Sequence, residues 1–201
     1  ALRPPDGPHA DFTPHPTGAP DGSTPAFTSP SLVTVDGFNT PPGGSPDPWL
    51  PAGATATTGN NVDAYADLGG GDGFSEGTDF RATPTAPGVF DRVYDTAASP
   101  LASQAQGMAA IVHAFYVVNW LHDWWYDAGF DEAAGNAQAD NFGRGGADGD
   151  RMLLELQDNA QGGSRNNANM STPFDGSSPR MQIYLWSGAS ARSVTLSPGG
   201  D

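Results

Sequence analysis

The side chains that could do acid–base or metal chemistry are few and widely spaced. The sequence contains four histidines, His9, His15, His113 and His122. It contains no His-Glu-x-x-His, the pattern that presents two imidazoles to one zinc ion from successive turns of a helix. It also lacks a Gly-x-Ser-x-Gly nucleophile elbow, a phosphate-binding loop and a dinucleotide fingerprint. The sequence therefore predicts neither catalytic residues nor metal ligands within this chain.

Two of the histidines, His113 and His122, lie nine positions apart in a helical pattern. At about 100° per residue they point to opposite faces and cannot bind one metal ion together. His122 and Asp123 could form half of an acid–base pair, but we favour a polar helix residue hydrogen-bonded to a neighbouring loop. His9 and His15 lie in a proline-rich segment without a third ligand, and we interpret them as solvated.

Acidic residues in predicted loops suggest calcium binding as a second kind of site. Asp63, Asp67 and Asp72 surround a glycine-rich stretch, and Asp140-Asn141 and Asp148–Asp150 are also rich in oxygen. Calcium prefers several oxygen ligands from short, bendable segments, but none of these stretches has EF-hand spacing. Calcium therefore remains an alternative, and plain turns are the favoured interpretation.

The strongest local pattern predicts a long helix from Ser99 to Ala128. Ser99 is the expected N-cap, Pro100 suits the first helical position, and Gly129 suits a left-handed C-terminal residue. Aromatic residues also fall outside the main apolar stripe, so we expect burial on most of the circumference. The stripe recurs at intervals of three and four residues: Met108, Ile111, Val112, Phe115, Val118, Leu121 and Trp125.

Strands are predicted on both sides of this helix, which indicates an α+β fold with one main core. Asn166–Met170 is short and polar and is predicted to be an edge strand. A short helical turn is expected at Asp131–Gly135. The other predicted strands are Ser31–Asp36, Asn60–Asp67 (half-buried), Met152–Leu156, Arg180–Trp186 and Ser193–Leu196.

The domain organisation follows from composition. Residues 1–30 are rich in proline and glycine and are predicted to be an extended arm, not a domain. Residues 31–196 are expected to form one lobe. Residues 197–201 are interpreted as a tail or linker that leads to a missing part.

Composition also excludes several classes of function. The chain has 23 acidic and 8 basic residues, a formal net charge of −15, which argues against nucleic-acid binding and against adsorption to anionic membranes. No apolar run approaches the roughly 20 residues of a membrane-spanning helix. Cysteine is absent, so disulfides and thiol chemistry are excluded. This composition is typical of exported bacterial enzymes.

Several long motifs, in order, resemble the fungalysin family of metallopeptidases. Gly59–Val62 is similar to its entry segment, and the other motifs cover most of residues 31–190. They are Asn119–Asn136 (NWLHDWWYDAGFDEAAGN), Asn141–Gly146 (NFGRGG), Asn166–Gly176 (NNANMSTPFDG) and Arg180–Trp186 (RMQIYLW).

The resemblance implies a secreted, propeptide-activated zinc endopeptidase with a thermolysin-like catalytic domain. Its N-terminal lobe would be a twisted, mainly antiparallel sheet packed on one long buried helix. The zinc ligands and the catalytic Glu would lie in the downstream portion of the same polypeptide, which becomes the expected partner. This chain alone is therefore predicted to be inactive.

The resemblance also assigns the site residues. An Asn-Ala pair on an edge strand of thermolysin-like enzymes holds the substrate backbone, and Asn167 and Ala168 match that pair. An edge strand has unpaired N–H and C=O groups to which an extended peptide can add. The alternative function is a non-catalytic secreted module, derived from a peptidase lobe, that binds peptides or surfaces.

Overall fold

The computed structural model describes residues 32, 37–93, 95 and 98–186. The arm at residues 1–30, the predicted strand Ser193–Leu196 and the 197–201 tail lie outside the described residues, as does Ser31–Asp36 apart from Leu32. The described elements are the strands β1 (Val62–Ala66), β2 (Phe80–Arg81), β3 (Met152–Leu156), β4 (Ala168–Ser171) and β5 (Arg180–Ile183), the helix α1 (Gln104–Asp127) and a 3-10 helix at Glu132–Ala134.

The five strands form one mixed sheet with the order β2-β1-β3-β5-β4. The three central strands β1, β3 and β5 are parallel, and each edge strand is antiparallel to its neighbour. The α+β class is therefore confirmed, but the sheet is not mainly antiparallel. The physical reason is that α1 connects β1 to β3, and such a crossover brings the second strand back in the same direction as the first.

The core lies between α1 and one face of the sheet. Ile111, Val112 and Phe115 of α1 are fully buried against apolar side chains of β1 and β3, including Val62 and Leu154. Strand β1 is buried along its whole length and is not the half-buried strand expected from alternation. It is a central strand, with α1 on one face and the loop after Asp67 on the other.

Helix α1 begins four residues later than the sequence predicted. Ser103 is the N-cap, with extended backbone angles and its side chain accepting a hydrogen bond from the Gln106 N–H. Ser99 instead belongs to a separate turn, in which the Ala102 N–H donates to the Ser99 carbonyl. At the other end Gly129 has a φ of 104°, the left-handed conformation predicted for it.

The prediction that α1 is buried on most of its circumference was wrong. One face is buried along the helix, but Trp120, Leu121, Trp124 and Trp125 are 40–52% exposed. Composition misleads here because an apolar side chain indicates burial without showing what covers it. Within the described residues, no helix is both long and apolar enough to cross a membrane.

Candidate functional site

The predicted edge strand lies at the edge of the sheet as β4. All four of its residues are exposed, and among the described strands it pairs with β5 alone. Asn167 directly precedes it, and the Asn167 carbonyl accepts a hydrogen bond of 3.1 Å from the Tyr184 N–H. The register places Ala168 opposite Ile183. The structure therefore brings both sequence-predicted site residues to one end of an open strand.

The two faces of β4 differ in chemistry. Side chains alternate along a strand, so Ala168 and Met170 share the face of their β5 partners Ile183 and Met181, which pack against the core. Asn169 lies on the opposite face, beside Gln182. Helix α1 packs against β1 and β3. Met181 and Ile183 of β5 are partly buried against the core, whereas Met170 of β4 is 43% exposed.

The flanks of α1 have different environments. One flank packs against the segment 37–49, through ring contacts of Phe38 with Trp120 and of Trp49 with Tyr116. A second apolar stripe of α1 begins with residues packed against the core and becomes more exposed towards the C-terminal end of the helix. We call this stripe, which comprises Ala110, Ala114, Val117, Leu121 and Trp125, the open flank.

Asp123 connects α1 to that segment through its buried carboxylate. Asp123 Oδ2 accepts hydrogen bonds from Phe38 N (2.8 Å), Asn39 N (3.3 Å) and Trp49 Nε1 (2.7 Å). His122 Nδ1 lies 3.0 Å from Asp123 Oδ1. Asp123 therefore fixes the segment 37–49 on the helix, which agrees with the favoured interpretation of a polar helix residue bonded to a neighbouring loop.

Several of the candidate calcium ligands have other partners in the structure. Asp63 forms a two-point ion pair with Arg81, with distances of 2.6 and 2.8 Å, whereas Asp72 lies 3.2 Å from Arg180. Asp150 accepts hydrogen bonds from backbone N–H groups at residues 138 and 176, which braces two loops. Within the described part of the chain, no group of three or more His, Cys, Asp or Glu residues could hold a metal ion.

His113 is also unsuited to act with His122. Burial lowers the pKa of His113 to about 4, so the ring is neutral at physiological pH. His122 Nδ1 is occupied by Asp123, and the two residues remain nine positions apart on α1. The two histidines therefore do not form one site together.

Sequence reasoning missed a polar brace that organises the loops after α1. Arg144 forms ion pairs with both Asp47 and Glu132, and Glu132 also accepts a hydrogen bond of 2.8 Å from the Tyr126 hydroxyl. Burial opposes ionisation of Glu132, but hydrogen bonds from Arg144 and Tyr126 outweigh it and lower the pKa of this carboxyl. The sequence feature that could have indicated this brace is Arg144, a single arginine within a glycine-rich loop.

Sequence reasoning also missed Glu155. It lies within the apolar strand Met152–Leu156 and is fully buried, with the Tyr65 hydroxyl 2.8 Å from its carboxylate. An acidic residue within an apolar strand is itself a signal, because buried carboxylates need partners.

Comparisons with known proteins agree with the motifs. The family model described as Fungalysin metallopeptidase (M36) matches residues 25–196. The chain is 37% identical over 182 residues to "Extracellular metalloproteinase MEP" of Pyricularia oryzae, covering 89% of this chain and 27% of that protein.

Other similar relatives are also named as extracellular metalloproteinases. The chain is 38% identical over 149 residues to "Extracellular metalloproteinase 5" of Trichophyton rubrum, covering 72% of this chain and 22% of that protein. It is 39% identical over 142 residues to "Extracellular metalloproteinase mep" of Aspergillus flavus, covering 69% and 21%. The chain thus spans about a quarter of the length of these curated relatives.

Proposed function

The chain belongs to the fungalysin metallopeptidase family, and on that premise we propose that it is the N-terminal lobe of a secreted zinc-dependent endopeptidase. In this proposal β4 binds the peptide substrate, and Asn167 and Ala168 hold its backbone. The described residues do not fit a zinc ion, because no three potential ligands converge. In this proposal the zinc ligands and the catalytic Glu lie in polypeptide outside this chain.

The open edge of β4 is the observation that carries the proposal. In an antiparallel pair, alternate residues direct their backbone groups towards the partner strand. The Asn167 carbonyl is bonded to Tyr184, so the same alternation directs the N–H and C=O groups of Ala168 and Met170 outwards. An extended peptide can add to these groups as one more strand, whatever its side chains.

The side chains at the start of β4 suit this role. The Asn167 amide is exposed and can both donate to and accept from a peptide backbone. Ala168 is small and leaves room for the side chain of an added strand. Backbone pairing of this kind fixes the position of a scissile carbonyl, which reduces the entropy lost on reaching the transition state.

Exposed apolar surface supports a second lobe as the partner. Met170 of β4 is 43% exposed, and Leu121 of the open flank of α1 is 40% exposed. Exposed apolar side chains on two elements favour an interface with a further part of the protein. We assign it to the downstream portion of the same polypeptide, consistent with the greater length of the relatives. We expect the lobe alone to be poorly soluble. A propeptide as a further partner stays a prediction.

Asn167→Ala in the full-length enzyme tests the proposed site. Loss of one substrate hydrogen bond is expected to reduce kcat/KM for extended peptides by roughly 2- to 10-fold, because such a bond contributes about 0.5–1.5 kcal/mol. Zinc content should not change. Ser171→Ala is the matched control, since Ser171 is exposed at the far end of the same strand.

Unchanged kinetics in Asn167→Ala would remove this residue from the site. Substrates with an N-methylated backbone test the strand addition directly: some position of the methyl group must abolish cleavage, and equal cleavage at every position would exclude pairing with β4. A full-length protein that binds peptides but never cleaves them would favour the alternative, a secreted binding module.

A further inference from the structure

A layer of acidic residues lies on the sheet face opposite α1. We define the carboxylate layer as Asp67, Asp79, Glu155 and Asp158, all less than 10% exposed. Asp67 follows the end of β1, Asp158 follows the end of β3, and Asp79 lies at the end of the loop that begins after Asp67. We refer to residues 68–79 as the cover loop.

Glu155 connects the cover loop to the sheet. Its Oε1 accepts hydrogen bonds from the Tyr65 hydroxyl (2.8 Å) and from Gly73 N (3.0 Å), and its Oε2 accepts one from Gln182 Nε2 (2.9 Å). Arg180 Nε lies 3.7 Å from Oε2. This carboxylate is therefore well provided with donors, although it is fully buried.

Asp79 is also satisfied, whereas Asp67 and Asp158 are only partly satisfied. The Asp79 oxygens accept hydrogen bonds from Leu68 N (2.8 Å) and Ser75 N (2.7 Å), which holds both ends of the cover loop together. Asp67 and Asp158 are each 2% exposed, and the buried Oδ2 of each has no hydrogen-bond partner within the described structure. Asp67 does accept a hydrogen bond from the Gly73 backbone, and Asp158 accepts one from the Tyr184 side chain. An ionised carboxylate with one buried oxygen left unpaired is still costly, so a species that lowers the negative charge would stabilise the layer.

The charges around the layer do not balance. Among the described residues, Asp72 in the cover loop adds a fifth carboxylate, whereas the cation in contact with the layer is Arg180 of β5. Arg81 of β2 is already paired with Asp63 of β1. The other titratable groups facing the layer are the hydroxyls of Tyr65 on β1 and Tyr184 after β5.

We propose that a bound proton on Asp67, not a metal ion, relieves part of the negative charge of the carboxylate layer and keeps the cover loop closed, so that the loop opens as the pH rises to neutrality. The donor arrangement argues against a metal ion. Asp79 and Glu155 already use their oxygens for backbone and side-chain donors, and within the described residues no group of three or more His, Cys, Asp or Glu residues could hold a metal ion.

The titration of Asp67 agrees with this geometry. Burial, followed by the charges of Asp79, Glu155 and Asp158, raises the pKa of Asp67 to about 7. The closed state therefore holds a proton that the open state, with an ordinary carboxyl pKa near 4, releases more readily. The stabilisation from this proton is fully present below about pH 4 and is lost as the pH rises through about 7.

Hydrogen exchange of the cover loop in the full-length protein tests the proposal. With exchange corrected for its intrinsic pH dependence, opening of the loop is expected to increase roughly 10- to 30-fold between pH 5.5 and pH 8. Asp67→Asn, a neutral isostere, should remove most of that increase. Asp72→Asn is the matched control, because it removes one charge from an exposed position in the same loop and should keep the dependence.

Three results would overturn the proposal. Protection that does not change with pH in the unsubstituted protein would exclude the proton. An undiminished pH dependence in Asp67→Asn would place the proton elsewhere. Calcium that restores protection at pH 8, with reversal by a chelator, would identify a metal ion as the neutralising species.

A direct titration keeps the proposal testable if Asp67→Asn fails to fold. Carboxyl ¹³C NMR of aspartate-labelled protein should show one aspartate with a midpoint near pH 7, and midpoints that all lie below about pH 5 would exclude it. These outcomes concern the cover loop alone. The kinetics of Asn167→Ala test the peptidase proposal separately.

Discussion

Asp123→Ala is expected to release the segment 37–49 from α1. The carboxylate is 1% exposed and is the common acceptor for two backbone N–H groups and the Trp49 indole. Asn39 and Trp49 are themselves buried, so water cannot reach their donors without local rearrangement. Each donor left without an acceptor costs about 1–3 kcal/mol, and partial relaxation leaves an expected total of about 3–5 kcal/mol.

Asp127→Ala is the control for this measurement. Asp127 lies one helical turn further along α1 and accepts hydrogen bonds of 2.7 and 2.8 Å from Thr40 N and Oγ1. Both groups are exposed, so water replaces the carboxylate and the expected loss is about 0.5–1 kcal/mol. The two variants therefore remove similar contacts that differ in burial.

Urea unfolding of the full-length protein, followed by tryptophan emission, gives the two losses in free energy of unfolding. Equal m-values are required for the comparison, because a changed m-value would indicate an altered unfolded or native state. If Asp123→Ala costs no more than Asp127→Ala, burial does not decide the strength of this connection and the reasoning is refuted.

Two further predictions concern packing and pH. Gly59→Ala should cost about 2–4 kcal/mol in the same assay, because its Cβ would lie 2.0 Å from the backbone carbonyl oxygen of Trp49; the control Gly44→Ala meets no atom closer than 3.5 Å and should cost less than about 1 kcal/mol. His113 has a folded pKa of about 4, below its unfolded value, so its contribution to stability is lost as the pH falls from about 6.5 to 4. In His113→Leu the melting temperature should fall less steeply as the pH decreases from 6.5 to 4. An identical pH dependence in the variant would contradict the assignment.

Local patterns predicted the elements better than the arrangement of the sheet. The spacing of apolar residues identified α1, and the strand Met152–Leu156 was predicted with its observed bounds. Ser99 and Ser103 are both capable N-caps, and the choice depends on which turn packs against the core. The two-residue strand β2 is too short to leave a periodic pattern.

The strand order could not be obtained from these patterns. A parallel pairing such as Val62 with Met152 joins residues far apart in sequence, and no local periodicity records it. The exposure of α1 could not be predicted for the same reason. The apolar side chain of Trp125 indicates burial whether the residues that cover it belong to this chain or to another polypeptide. The edge position of β4 was predictable because its polar, short sequence suits an unpaired strand.

The crossover between β1 and β3 has a consequence for how the chain folds. During synthesis β1 leaves the ribosome long before β3, and until then its described backbone partners are the two residues of β2 and the short segment at residues 57–59. Closing that long separation costs entropy before any pairing is gained, so the sheet should form late and α1 early. Nascent chains that pause before residue 152 would expose the apolar β1, which makes this interval the one in which a chaperone has most to protect.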